Sequence, residues 1–89
     1  MTGPLNRCSA AFGETEIDGE VVLLSLADGT FFSLTGTAAE IWSLIDGTHT
    51  RDALISALAL RHDAVEAEIA PDVDAFLAQL IKAGFVTAG

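Results

Sequence analysis

Apolar and polar residues recur along this chain with two different periods, and the change near residue 35 divides it into a strand-forming part and a helix-forming part. Residues 21–26, Val-Val-Leu-Leu-Ser-Leu, read as a strand from β-branching and run length, and residues 30–34, Thr-Phe-Phe-Ser-Leu, read as another from aromatic content and shortness. Residues 11–17 form a mixed run with Phe12 and Ile17 as its apolar points. Asp18-Gly19 and Asp28-Gly29 separate these runs, and such pairs favour tight hairpin turns. A three-stranded antiparallel meander is the consequence.

After Leu34 the period becomes helical. Ala38, Ile41, Trp42 and Ile45 stand at i, i+3, i+4 and i+7, with Thr35 or Thr37 as a hydroxyl cap, Glu40 three residues after Thr37, and Gly47 as the stop. Thr50 opens a second helix carrying Leu54, Ile55, Leu58 and Ala59 on one face, with Arg61 and His62 near the negative end of its dipole. Val73, Phe76, Leu77 and Leu80 mark a third. Pro71 is tolerated in a first helical turn, which places the main body of that helix from about Ala70, and Gly84 ends it with Phe85 and Val86 clipped behind.

Sheet first and helices after is an α+β layout, here a winged helix-turn-helix-like arrangement of a three-stranded antiparallel sheet followed by three helices. Residues 1–9 carry Gly3, Pro4 and Asn6 without periodicity and read as a flexible lead-in, with the domain spanning 10–89. The 89 residues suffice for one small core, and 51% hydrophobic content is enough to drive its burial. Four Lys and Arg against 13 Asp and Glu give a net charge of −9, so nucleic acid and anionic membrane surfaces are poor partners. Cys8 has no second cysteine to pair with, and neither a secretory signal nor an apolar run of membrane-spanning length is present, which reads as a cytoplasmic protein.

The chemistry of catalysis is scarce. Cys8, His49 and His62 lie at no zinc-ligand spacing, and no nucleophile elbow or phosphate-binding glycine loop occurs, so the expectation is no metal, no cofactor, no catalytic residue and no enzyme activity. Ser25 and Ser33 fall in predicted strands and Ser43 and Ser56 inside helices, unlike the carrier serine of an acyl carrier domain. A winged-helix transcription regulator is the alternative from another class, and Glu66, Glu68, Asp72 and Asp74 against Lys82 alone on the last helix argue against phosphate contact. Recognition by backbone and groove remains. An edge strand over Thr30, Phe31, Phe32, Ser33 and Leu34 exposes main-chain groups to an added strand, and its two adjacent aromatics point to opposite faces.

The order Leu34-Thr35-Gly36-Thr37-Ala38-Ala39-Glu40-Ile41-Trp42, then Asp46-Gly47, Thr50 with Leu54 and Leu58, and Ile69-x-x-Asp72-Val73-x-x-Phe76-Leu77-x-x-Leu80-x-x-x-Gly84-Phe85 resembles the PqqD family of peptide chaperones, also called RiPP recognition elements. The resemblance covers about residues 12–86, with Thr35 where the family often has Asn and His62 where Tyr is common. It implies a non-catalytic domain that binds the leader of a ribosomally made precursor peptide as an extra antiparallel strand on residues 30–34. Val73, Phe76, Leu77 and Leu80, with Phe31 or Phe32, would form the apolar pocket, and Asp72 and Asp74 would meet basic leader residues. The implied partners are a separate transglutaminase-like leader peptidase and a cyclase, as in split lasso-peptide clusters; a chaperone of pyrroloquinoline quinone biosynthesis is the alternative within the family.

Overall fold

A computed structural model describes residues 3–88 of the chain. Strands β1 (Leu5–Arg7), β2 (Phe12–Ile17), β3 (Glu20–Ser25) and β4 (Phe31–Leu34) come first, with one 3₁₀ turn over Ser9–Ala11. Helices α1 (Thr37–Leu44), α2 (Arg51–His62) and α3 (Glu66–Lys82) follow, and β5 (Val86–Ala88) closes the chain.

The expected meander forms as an antiparallel sheet in the order β2-β3-β4. Its first turn has φ of 52° at Asp18 and 81° at Gly19, the positive-φ pair that a two-residue hairpin demands. At the second, the Asp28 carboxylate accepts the Thr30 N–H at 3.0 Å while the Gly29 N–H donates to the Ser25 carbonyl at 2.9 Å. Register puts Phe12 opposite Ser25, and Leu23 opposite both Glu14 and Phe32. The face carrying Phe12, Val21, Leu23 and Leu34 is buried together with residues of all three helices. Ile17, Phe31 and Ser33 stay exposed on the opposite face.

A second sheet was not foreseen from the sequence. Residues 5–7, read there as part of a flexible lead-in, pair antiparallel with β5, matching Leu5 to Ala88 and Arg7 to Val86. Leu5 is fully buried, its N–H donates to the His49 carbonyl at 2.8 Å, and its carbonyl accepts the Gly47 N–H at 3.0 Å. Strand β1 is thereby wedged between the C-terminal strand and the α1–α2 loop. Arg7 adds a clasp, because its guanidinium lies 4.3 Å from the Trp42 ring centroid and Nη2 donates to the Trp42 carbonyl at 2.7 Å. The Trp42 Nε1–H donates to Glu14 at 3.2 Å, which carries the polar end of a buried indole to a partner on β2.

Helix ends depart from the sequence reading in three places. Gly36, rather than a threonine hydroxyl, caps α1, and Thr37 is already helical. Helix α3 starts at Glu66, about one turn before the expected Ala70, with Pro71 inside it on the exposed side. Pro71 cannot donate to the helical ladder there, and burial of Val73, Leu77 and Leu80 holds the segment helical. Helix α1 also ends before the expected Gly47, at Leu44 with Ile45 as its cap, whereas the ends of α2 and the C-terminal end of α3 agree with expectation. Thr50 Oγ1 accepts the Ala53 N–H at 3.1 Å as the cap of α2, and after α3 Gly84 takes a positive φ while the Phe85 N–H returns to the Leu80 carbonyl. Phe85 is fully buried, 5.2 Å from Phe12 and 5.1 Å from Phe32 between ring centroids, so it joins the ends of the sheet through one aromatic cluster.

Candidate functional site

Strand β4 is an edge, because only β3 pairs with it. The Ser25 N–H donates to the Thr30 carbonyl at 2.8 Å. Hydrogen-bonded and non-bonded pairs alternate along an antiparallel ladder, so Phe32 and Leu34 turn their main-chain groups toward β3, and Phe31 and Ser33 turn theirs outward. Two N–H and two C=O groups therefore face the open side.

Side chains alternate in the same way. Leu34 is buried in the core, and Phe32 is half-buried with its ring packed edge-on against Phe85. Phe31 is 70% exposed on the outer face, beside Ser33, whose hydroxyl donates to Glu20. The two adjacent phenylalanines thus divide as the extended geometry requires: Phe32 faces the helices and Phe31 faces away.

The apolar residues of helix α3 differ in exposure. Val73, Leu77 and Leu80 are 0% exposed and form the floor of the core. All three, expected from the sequence to line the pocket, are covered by the protein's own side chains in the free chain. Phe76 is only half-buried. It stands three residues before Gln79 and seven before Ala83, on one helical face. Gln79, Lys82 and Ala83 form one wall of a cleft of about 510 Å³, and Asp28, Thr30 and Phe32 form part of the other. Of the expected residues, this cleft brings together Thr30 and Phe32. Gln79 and Lys82 were missed because polar side chains carry no weight in an apolar-periodicity argument. Their spacing from Phe76 was the available signal.

Asp72 and Asp74 take different places. Asp74 is bound by Arg51, which donates from Nε to Oδ1 at 2.6 Å and from Nη2 to Oδ2 at 2.7 Å. These hydrogen bonds hold the Asp74 carboxyl below the usual carboxylate range and raise the Arg51 pKa further. Asp74, expected to meet a basic ligand residue, is thus ion-paired with Arg51 within the protein, with its side chain partly exposed. Asp72 lies farther toward the N-terminal end of α3, at a smaller cleft of about 260 Å³ where Ile41 and Leu58 contribute apolar surface and Glu68 and His62 stand nearby. In the β4 turn, the Thr30 N–H and hydroxyl and the Ser25 hydroxyl keep Asp28 ionised to lower pH than an ordinary carboxylate.

An open strand edge beside a helix, with an apolar and partly polar cleft between them, is the arrangement that strand addition uses. Residues 20–86 match the family described as "Coenzyme PQQ synthesis protein D (PqqD)". The chain belongs to the PqqD family. A curated relative, the "PqqA binding protein" of Rhodopseudomonas palustris (strain TIE-1), is 48% identical over 50 residues, covering 56% of this chain and 49% of that protein. The chain thus aligns with about half the length of that relative. Among solved structures, this PqqD-family chain is similar to TbiB1 in complex with the TbiA(beta) leader peptide, with a TM-score of 0.79 and 27% identity over 91% of this chain and 93% of the other. The heterocyclase TruD shares the fold at a TM-score of 0.61 and 22% identity, over 98% of this chain and 12% of TruD. The PqqD fold therefore recurs as a small part of a much larger enzyme. Among the described residues no helix is long and apolar enough to cross a membrane.

Proposed function

We propose that this chain captures the leader of a ribosomally made precursor peptide as an added strand on β4 and presents the remainder to separate modifying enzymes. The observation that carries the reading is the open β4 edge, with the main-chain groups of Phe31 and Ser33 facing outward beside α3. Likeness to TbiB1, whose structure contains a leader peptide, supports it. The groove offers backbone hydrogen bonds and apolar surface from Phe32 and Ala83, with half-buried Phe76 on the helical face of Gln79 and Ala83, which is the chemistry of binding rather than of bond cleavage.

The magnitudes suit that task. Four main-chain hydrogen bonds at about 1 kcal/mol each and two or three buried ligand side chains at about 1.5–3 kcal/mol each exceed an ordering and association cost of several kcal/mol. The gross gain of about 7–13 kcal/mol less that cost reaches micromolar binding, at about −8 kcal/mol, where the ligand side chains are fully buried. The partners in this reading are the precursor leader, a separate transglutaminase-like leader peptidase and a cyclase, as in lasso-peptide maturation in the cytoplasm. A role in pyrroloquinoline quinone biosynthesis is the second reading, favoured by the PqqA-binding relative.

Calorimetric titration with the synthetic leader of the precursor encoded beside this chain's gene, and separately with a PqqA peptide, tests both. Heat is the readout because Trp42 is buried under Arg7 and against Phe12. Saturable binding of either peptide, lost in Ser33→Pro, is the expected result. That substitution removes an outward N–H and leaves the bonds to β3 intact. Absence of heat for both peptides at hundreds of micromolar, or binding indifferent to Ser33→Pro, would overturn the reading.

A further inference from the structure

Four cationic side chains are present in the sequence, and three of them are already engaged. Arg7 meets Glu14 at 3.4 Å, Arg51 holds Asp74 and Asp52, and Arg61 lies 3.6 Å from Glu40. Lys82 is the fourth, and among the described residues no carboxylate lies within ion-pair distance of it. It sits in the wall of the cleft between α3 and the β3–β4 turn, beside Gln79. The C-terminal carbonyls of α3 do not require it, because Gln79, Leu80 and Ile81 accept the N–H groups of Ala83, Phe85 and Gly84. Asp28, the carboxylate of the opposite wall, is occupied by the Thr30 N–H at 3.0 Å.

We propose that Lys82, with the Gln79 amide beside it, is a specificity-determining residue that selects an acidic side chain in the C-terminal half of the captured peptide segment. The proposal rests on strand addition to β4 and adds the chemistry and position of one ligand residue.

Position follows from direction. The sheet β2-β3-β4 is antiparallel throughout, and antiparallel pairing is the more stable ladder, so an added strand runs opposite to β4. The Lys82 cleft adjoins Thr30 and Phe32, toward the start of β4, and therefore meets the later residues of the added strand. The opposite end of the same helix carries Asp72 and Glu68 beside the start of α1. The ten residues from Asp72 to Lys82 rise about 15 Å, which an extended strand covers in about four or five residues. The two ends of this stretch of α3 thus carry side chains of opposite charge, Asp72 and Glu68 at one and Lys82 at the other, over the length of one short strand.

A phage-displayed library of random peptides about twelve residues long, enough to span that length, is selected on the wild-type chain, on Lys82→Glu and on Lys82→Gln, with circular dichroism confirming each fold. The wild-type pool is expected to enrich Asp or Glu in the C-terminal half of a shared apolar motif, and the Lys82→Glu pool to enrich Lys or Arg there. An individual wild-type-selected peptide should bind Lys82→Glu about three- to tenfold more weakly. Replacing its acid with Lys should restore binding to that variant. Acid enrichment unchanged by Lys82→Glu, a wild-type pool without an acid, or an acid in the N-terminal half would overturn the proposal alone, provided that the selected peptides lose binding to Ser33→Pro. No enriched peptide, or peptides indifferent to Ser33→Pro, would overturn strand capture and this inference with it.

Discussion

Arg51 and Asp74 join the first turn of α2 to the middle of α3 through a two-pronged contact, Nε to Oδ1 at 2.6 Å and Nη2 to Oδ2 at 2.7 Å. With its pKa lowered by this contact, Asp74 binds protons less readily in the folded chain than in the unfolded one. Its contribution to stability is therefore present above the unfolded value of 3.8 and is lost as pH falls through the lower folded value. The thermal midpoint of Asp74→Asn should lie below that of the wild type at pH 7, with the gap closing between pH 4 and the folded pKa, as followed by circular dichroism melts.

Neighbours on α3 should separate core from groove. Leu77 is 0% exposed, so Leu77→Ala should cost about 2–5 kcal/mol in urea unfolding. Phe76→Asp should instead weaken leader binding by at least tenfold in calorimetry, because a carboxylate in an apolar groove is costly to desolvate. Circular dichroism should show that the Phe76→Asp chain keeps its fold.

Strand β1 is part of the folded unit. Leu5→Ala should destabilise the chain by about 2–4 kcal/mol in urea titration, since Leu5 is fully buried between β5 and the α1–α2 loop. A change near zero would show that β1 contributes little to the core.

The cap of α2 offers a local control. Thr50→Ala should cost about 1 kcal/mol through loss of the hydroxyl that accepts the Ala53 N–H, and Thr50→Ser should cost far less. Neither should alter leader affinity, so urea unfolding and calorimetry on the same proteins check both halves of the expectation.

Much of the fold was legible because its signals are local. The positive-φ turn at Asp18-Gly19, the Thr50 cap and the Gly84 stop each depend on a few neighbouring residues, and the 3.6-residue period of α3 reports burial of one helical stripe. The β4 edge was legible for the same reason, as was the splitting of Phe31 from Phe32, because alternation is a property of the extended chain itself. Only the tertiary structure decided that Val73, Leu77 and Leu80 are consumed by the core, that Asp74 belongs to Arg51, that Leu5 pairs across to Ala88, and that Lys82 stands beside β4. Each of these is a contact between segments distant in sequence. Periodicity says that a side chain leaves one face of its helix or strand; what it meets there is set by the packing of the remaining elements.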